Sequence, residues 1–218
     1  MTKEQVRAQI DDLAIIPAVR AASADDAMYA AETVALGGIP IIELTMTVPG
    51  ALDVLARIRR EHPGIVVGAG TVLDLLTAKR CLDAGAMFLT SPGLVPEVVE
   101  FAAAADIVAM PGALTPTEVL LALRSGADYI KIFPCAQVGG PAYIHALKGP
   151  FPQASLIASG GVNQQNVGDY ILAGATAVGI GEHLVPGNAV RDRKADWIQE
   201  LVRRFNLMVK RARDQRGY

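Results

Sequence analysis

The chain has 218 residues, of which 51% are hydrophobic, 19% charged and 5% aromatic, and its formal net charge is −2. This composition excludes a disordered chain and provides no general basic field for nucleic acid. No apolar run of about 18 residues could span a bilayer, and the charged N-terminal segment differs from a signal peptide. We therefore expect a cytoplasmic protein without nucleic-acid or membrane partners. Residues 1–218 should form one domain, because closed α/β barrels commonly use roughly 200 to 250 residues.

Helical and strand patterns alternate along the sequence. Helices are predicted at about residues 3–12 and about 192–214, before and after eight short apolar runs. Most of these runs are rich in β-branched residues and bounded by Gly or Pro, as buried parallel strands are. In chain order, the candidate strands are residues 14–19, 39–45, 65–68, 87–90, 107–110, 129–133, 156–158 and 177–180.

Local signals mark the connections between these strands. Ser23 and Thr115 each precede an acidic segment, which predicts two helix N-caps, and Pro116 suits the first helical position after Thr115. Four glycines are predicted to end helices, because glycine readily adopts the left-handed conformation that closes a last turn. These glycines are Gly38, Gly85, Gly126 and Gly174.

Eight strands alternating with helices in one domain predict an α/β fold, a single (β/α)8 TIM barrel with an additional N-terminal helix. An open, doubly wound sheet is the alternative, but the first strand lacks the GxGxxG turn of a dinucleotide-binding sheet. In a barrel, candidate site residues lie at the carboxyl ends of the strands and in the following loops. Residues at these positions include Arg20, Thr45, Thr71, Pro92, Ser159, Gly160, Gly161 and Gly181.

Two charged residues occur inside predicted strands, where a charge is hardest to explain. Glu43 lies opposite the aliphatic strand face formed by Ile42 and Leu44, and Lys131 is flanked by isoleucines in the same way. Because side chains alternate along a strand, both charges should point into the barrel. Two interpretations remain open at this point. The residues form a buried ion pair, or Lys131 is a Schiff-base nucleophile with Glu43 as its partner.

Six motifs, in order and at plausible spacing between about Ile15 and Pro186, together resemble one enzyme family. They are similar to motifs of the class I aldolases that cleave 2-keto-3-deoxy-6-phosphogluconate and 4-hydroxy-2-oxoglutarate. The motifs are IIELT at 41–45, VGAGTV at 67–72, SPG at 91–93, PG at 111–112, KIFP at 131–134 and SGGV at 159–162.

The resemblance implies a pyruvate aldolase that needs no metal or other cofactor and assembles as a homotrimer. Such an enzyme reversibly cleaves a 2-keto-3-deoxy sugar acid to pyruvate and an aldehyde. By the same resemblance, Lys131 forms the Schiff base and Glu43 moves protons. Thr71, Pro92 and Phe133 would line the pyruvyl pocket.

Two positions depart from the common family pattern. Thr47 stands where many members carry an arginine that holds the substrate carboxylate, so Arg20 is the candidate clamp here, with a rim salt bridge as the alternative. After the eighth strand, Gly181 precedes Glu182 where the family often has a phosphate-binding Gly-Ser pair. Glu182 would repel a phosphate, whereas a helix predicted to begin near Asn163 would favour one. The sequence therefore leaves phosphorylated and nonphosphorylated substrates open.

Two further functions remain as alternatives. A metal-dependent pyruvate aldolase would need converging carboxylate or histidine ligands, but His62, His145 and His183 fit no ligand spacing. A noncatalytic barrel that binds sugar acids or phosphate would use Lys131 only to pair with an anion. The cysteines are too few and too isolated for a disulfide framework or a CxxC metal site, and both are expected to be reduced.

Overall fold

Parallel strands and helices alternate along the chain in a computed structural model that describes residues 1–217. The strands are β1 (Ile15–Val19), β2 (Ile41–Thr45), β3 (Val66–Gly70), β4 (Phe88–Thr90), β5 (Val108–Met110), β6 (Gly112–Ala113), β7 (Ile130–Ile132), β8 (Leu156–Ser159) and β9 (Ala177–Ile180). The helices are α1 (Lys3–Leu13), α2 (Ala24–Leu36), α3 (Ala51–Glu61), α4 (Leu75–Asp83), α5 (Pro96–Ala104), α6 (Pro116–Arg124), α7 (Pro141–Lys148), α8 (Val167–Leu172), α9 (Gly187–Arg191) and α10 (Ala195–Arg216). The order matches the predicted alternation.

The strands form one parallel sheet in the order β5-β4-β3-β2-β1-β9-β8-β7-β6. β5 and β6 are consecutive pieces of one extended segment, interrupted at Pro111, and they pair with β4 and β7 respectively. Pro111 lacks an N–H group but still accepts a hydrogen bond from the Lys131 amide at 2.9 Å. The extended segment therefore joins the two ends of the sheet, and the predicted TIM barrel is confirmed. The fifth predicted strand is longer than expected and divided into two.

The predicted local signals are present at the helix ends. The Ser23 hydroxyl accepts a hydrogen bond from the Asp26 amide, and Thr115 forms a reciprocal capping box with Glu118. All four glycines predicted to end helices have positive φ angles, between 88° and 111°. These short-range features are confirmed because each depends only on neighbouring residues.

Helix α1 lies against the amino-terminal end of the barrel. The Tyr129 hydroxyl, just before β7, donates a hydrogen bond to Asp11 at 2.8 Å, and Lys3 pairs with Asp128 at 3.0 Å. These contacts occupy the end of the barrel opposite the carboxyl ends of the strands. The carboxyl end is therefore the one available for a site, as in other barrels of this type.

The bounds of two later helices differ from the predicted ones. Helix α8 begins at Val167 rather than near Asn163, so the predicted start was wrong by four residues. The cause is local, because Asn166 accepts from the Asn163 amide and donates to the Gly161 carbonyl oxygen, which holds this stretch as a turn. The last helix, predicted at about 192–214, spans Ala195–Arg216. Within residues 1–217, no helix is long and apolar enough to cross a membrane.

Candidate active site

Lys131 and Glu43 meet inside the barrel. The Lys131 Nζ lies 3.2 Å from Glu43 Oε1 and 3.3 Å from Oε2, and the two side chains are 8% and 5% exposed. β2 and β7 are not neighbours in the sheet, so the pair spans the interior. Burial removes the solvation of both charges, which makes such a pair a weak contributor to stability. The pair therefore needs an explanation other than stability.

Two glycines make room around this pair. A Cβ at Gly70 would lie only 2.4 Å from Glu43 Oε1, so the carboxylate occupies the space that a side chain would fill. Gly112 is the register partner of Lys131, and a Cβ there would lie 2.2 Å from the Pro92 carbonyl carbon. The backbone of Pro92 thus rests directly on the strand next to Lys131. Pro92 itself is exposed.

A cavity of about 210 Å³ opens above Lys131 at the carboxyl end of the barrel. Of the predicted site residues, those that line it are Arg20, Lys131, Phe133, Ser159, Gly160, Gly161 and Gly181. The Phe133 ring centroid is 5.7 Å from Lys131 Nζ. The cavity therefore brings a buried amine together with an aromatic wall and a polar mouth.

Arg20 supplies a positive charge at the mouth of the cavity. Arg20 is exposed, and its guanidinium forms no salt bridge within residues 1–217. The alternative role of Arg20, a salt bridge at the barrel rim, is therefore not observed in this part of the chain. A Cβ at Gly181 would lie 3.4 Å from Arg20 Nη1, so the guanidinium lies beside Gly181 at the end of β9. The planar group remains available to hold a carboxylate or phosphate.

The segment Ser159–Gly161 forms the wall of the cavity next to Phe133. Ser159 is buried at the end of β8, and Gly160 and Gly161 both have φ of +85°. A Cβ at Gly161 would lie 2.3 Å from the Ala136 Cβ. Both the conformation and the close approach therefore require glycine at this position.

Thr45, Thr71 and Pro92 do not line the cavity. The buried Thr45 hydroxyl donates to the Val19 carbonyl oxygen at 3.2 Å and lies 2.8 Å from the Thr47 hydroxyl. It thereby ties β2 to β1 just before Arg20. Thr71 instead lines a separate groove with Met46 and has φ of +61°, an uncommon conformation for a threonine. Their assignment as substrate-binding residues stays a prediction.

Glu182 also lines the cavity, where it is exposed. Its Oε1 accepts a hydrogen bond from the Gly187 amide at 3.0 Å, at the start of α9. This contact holds the carboxylate at the mouth although it does not pair with Arg20. The position that departs from the family pattern therefore contributes a fixed negative charge beside the cavity.

Four residues of the cavity wall were not predicted from the sequence. Ala18, Val162, Gly179 and His183 line it together with the predicted residues. Alternation could have found two of them, because Ala18 shares a strand face with Arg20 and Gly179 shares one with Gly181. His183, one of the three histidines that fit no ligand spacing, is exposed where it lines the cavity, and its position next to Glu182 was the available signal.

Neither an activated thiol nor a metal-binding cluster is found at this end among the residues that the structure describes. Burial raises the pKa of the Cys135 thiol, which follows the KIFP motif, to about 11, so this thiol is protonated and a poor nucleophile at neutral pH. Among residues 1–217, no group of three or more His, Cys, Asp or Glu side chains is arranged to hold a metal ion. His62 lies 2.9 Å from Glu32, away from the cavity.

A closed parallel barrel with a buried lysine and carboxylate at its carboxyl end is the arrangement of an enzyme that works through a lysine Schiff base. Comparison with known proteins agrees with this class. The model of the KDPG and KHG aldolase family matches residues 6–201, and the chain belongs to that family. KDPG and KHG denote 2-keto-3-deoxy-6-phosphogluconate and 4-hydroxy-2-oxoglutarate.

Individual relatives with aldolase names align with this chain over most of their length. The chain is 35% identical over 200 residues to the 2-dehydro-3-deoxy-phosphogluconate aldolase of Pseudomonas aeruginosa, covering 90% of each chain. It is 32% identical to the KHG/KDPG aldolase of Escherichia coli K12, covering 87% of this chain and 89% of that protein. A KDPG aldolase structure from Legionella pneumophila, with pyruvate captured as a covalent carbinolamine, has a TM-score of 0.84 at 31% identity. The aligned region covers 90% of this chain and 95% of the Legionella chain.

Proposed function

We propose that this protein is a class I aldolase that reversibly cleaves a 2-keto-3-deoxy sugar acid to pyruvate and an aldehyde. The observation that carries the proposal is the buried Lys131–Glu43 pair, in which Lys131 lines the cavity and Glu43 contacts its Nζ from behind the cavity wall. Family membership supplies the substrate class, namely 2-keto-3-deoxy-6-phosphogluconate, a related acid with or without phosphate, or 4-hydroxy-2-oxoglutarate. We assign catalysis to Lys131 and Glu43, and substrate contacts to the cavity residues and to Thr45, Thr71 and Pro92.

The proposed mechanism begins with a proton transfer within the pair. Lys131 gives up a proton, and its neutral Nζ attacks the C2 ketone carbon to form a carbinolamine. Loss of water from that intermediate gives a protonated imine between Nζ and C2. Glu43, whose carboxylate lies within 3.3 Å of Nζ, is placed to deliver the proton that leaves with this water.

The imine then acts as an electron sink for the cleavage. Glu43 takes the proton of the C4 hydroxyl, the C3–C4 bond breaks, and the aldehyde leaves while the bonding electrons move into an enamine. The protonated Glu43 then gives its proton to C3 of the enamine, and hydrolysis of the resulting imine releases pyruvate and free Lys131. The steps need no metal, because the iminium performs the polarisation that a metal ion supplies in other aldolases.

Arg20 and the Ser159–Gly161 wall are proposed to hold the charged ends of the substrate. The guanidinium, which has no salt bridge within residues 1–217, suits a carboxylate, and Ser159 adds a hydroxyl-bearing side chain to the wall of the same cavity. Because helix α8 begins only at Val167, the predicted helix end no longer supports a phosphate site here. Glu182 adds a negative charge on the same side, so a nonphosphorylated substrate remains within the proposal.

A homotrimer and a cytoplasmic location belong to the same proposal. The trimer rests on family resemblance, and light scattering of the native protein measures it. The free, buried thiols of Cys81 and Cys135 support a reducing compartment, where thiols stay unpaired. Cell fractionation tests the location.

Reductive trapping tests the proposed chemistry. Incubation with pyruvate and borohydride should leave a 1-carboxyethyl group on the Lys131 Nζ, identified by peptide mapping, because borohydride reduces the imine to a stable secondary amine. Lys131→Ala should abolish this adduct. Glu43→Gln should retain part of it and lower kcat by about 10² to 10⁴, the usual contribution of a proton-transfer group.

The alternatives give different results in the same assays. A wild-type protein that binds pyruvate without a trapped Lys131 would be a noncatalytic barrel. Activity lost on exhaustive chelation and restored by a divalent ion would indicate the metal-dependent aldolase.

A further inference from the structure

Thr90, the last residue of β4, carries a buried hydroxyl group that has no hydrogen-bond partner among residues 1–217. Thr90 is only 2% exposed. Within residues 1–217, the other buried side-chain atoms of this kind are the hydroxyls of Tyr29 and Tyr170, and neither lies on a strand. An unsatisfied buried hydroxyl is unfavourable, so its presence in the barrel wall calls for a reason.

The strand pattern places Thr90 on the inner face of the barrel. Gly70 faces inward, since the Glu43 carboxylate fills the space next to it, and Gly68 shares that face. The Phe88 ring occupies the place of a Gly68 side chain, with Cδ2 2.2 Å from the Cβ position, so Phe88 also faces inward. Thr90 follows Phe88 by two residues and therefore points the same way.

Strand register brings this hydroxyl close to the catalytic pair. Ala69 of β3 pairs with Leu89 of β4, so the next residues, Gly70 and Thr90, lie side by side. The Glu43 carboxylate lies directly over Gly70, with Oε1 2.4 Å from its Cβ position. Thr90 is thus on the strand adjacent to the carboxylate, on the same face and at the same height.

Glu43 needs a second donor during the proposed reaction. In the free protein, both carboxylate oxygens accept from Lys131 Nζ, and Glu43 has no other hydrogen bond within residues 1–217. The lysine ammonium has three N–H groups, whereas the iminium nitrogen has one. Formation of the imine therefore removes hydrogen-bond donors from the Glu43 carboxylate while the carboxylate stays buried. The free-energy cost of burying this charge rises as a result.

We propose that Thr90 is a positioning residue whose hydroxyl donates to the Glu43 carboxylate once Lys131 is bound to the substrate. The contact holds the carboxylate in place for the proton transfers at C3 and C4, and the unpartnered hydroxyl of the free protein is its resting state. This inference rests on the proposed Schiff-base function. It adds a residue that acts through Glu43 and does not itself touch the substrate.

Exchange of the pyruvate methyl protons in D2O isolates the step concerned. This exchange needs the imine and a proton transfer at C3, but no aldehyde. Thr90→Val replaces the hydroxyl with a methyl group of similar size, and we expect exchange to slow about tenfold while borohydride trapping at Lys131 stays within twofold of wild type. Thr90→Ser restores the hydroxyl and should exchange within about threefold of wild type.

Stability and a matched variant separate positioning from folding. Thr90→Val removes an unsatisfied hydroxyl, so its Tm should equal or exceed that of wild type. Thr33→Val removes the hydroxyl of another buried threonine, in α2, and should leave exchange unchanged. Wild-type exchange in Thr90→Val, equal slowing in Thr33→Val, or slowing accompanied by an equal loss of trapping would each overturn the role of Thr90. Failure of the wild-type protein to trap pyruvate at Lys131 would instead overturn the Schiff-base function itself.

Discussion

Arg20 and Glu182 place opposite charges at the mouth of one cavity without pairing with each other. The Glu182 carboxylate accepts from the Gly187 amide, whereas Arg20 has no ion-pair partner within residues 1–217. An anionic substrate would therefore meet a guanidinium that is free to bind it and a carboxylate that opposes a second negative charge. The balance between these two residues decides how well the cavity accepts a phosphate.

Substitution of Glu182 should change substrate preference. Glu182→Gln keeps an oxygen that can accept from the Gly187 amide but removes the negative charge. We expect kcat/KM for phosphorylated 2-keto-3-deoxy acids to rise about two- to tenfold, because an exposed charge acts through solvent, and the gain should shrink in high salt. Pyruvate release from phosphorylated and nonphosphorylated substrates measures the effect. An equal change for both substrates would show that Glu182 does not oppose the phosphate.

At the scale of elements, the alternation of side chains made the central pair predictable. Period-two alternation placed Glu43 and Lys131 inside the barrel, because one face of each strand is purely aliphatic. The split of the closing strand at Pro111 was not visible, since it depends on pairing with both neighbours. The turn before α8 was also missed, because asparagine side chains there compete with helical hydrogen bonds.

The cavity was only partly predictable for a similar reason. Residues at strand ends could be named from the sequence, but which of them share a cavity depends on loops that are distant along the chain. Thr71 follows one predicted strand and Lys131 lies in another, yet the two residues line different cavities. Likewise, the missing partner of Thr90 is a property of all the strands around it and has no local signal.

The capping box of α6 gives a prediction at this scale. Glu118 accepts from the backbone amides of Leu114 and Thr115, and these hydrogen bonds lower the pKa of its carboxyl group. Glu118→Ala should therefore lower the free energy of unfolding by about 1 kcal/mol at pH 7, as measured by urea denaturation. Because the folded pKa is lowered, the contribution is present above the ordinary glutamate pKa and is lost as the pH falls through the folded value.

An exposed glutamate in the first turn of α5 provides the control. Glu97 lies in that turn, but the N-cap residue of α5 makes no side-chain capping hydrogen bond. Glu97→Ala should cost less, about 0.3 kcal/mol, because this exposed side chain loses only its interaction with the helix dipole. Equal losses for both variants would mean that the capping hydrogen bonds of Glu118 add nothing to helix stability.

At the scale of the whole molecule, closure of the sheet couples both halves of the chain. The first and last strands, β1 and β9, pair directly, and the segment of β5 and β6 joins the opposite side. Opening any one of these junctions would expose apolar side chains of the whole interior. We therefore expect the barrel to unfold as one cooperative unit, which is what a single domain would do.

The two cysteines can report on this cooperativity. Cys81 lies in α4 and Cys135 follows β7, and burial raises the pKa of each thiol to about 11. Neither thiol should react with a thiol reagent at pH 8 without urea, and both should become reactive over the same range of urea, measured separately in Cys135→Ala and Cys81→Ala. Labelling of one thiol at much lower urea than the other would contradict a single cooperative barrel.

The same two thiols predict how stability depends on pH. Because burial raises the pKa of both thiols in the folded protein, the free energy of unfolding should stay constant below about pH 9, the ordinary thiol pKa, and fall as the pH rises toward about 11.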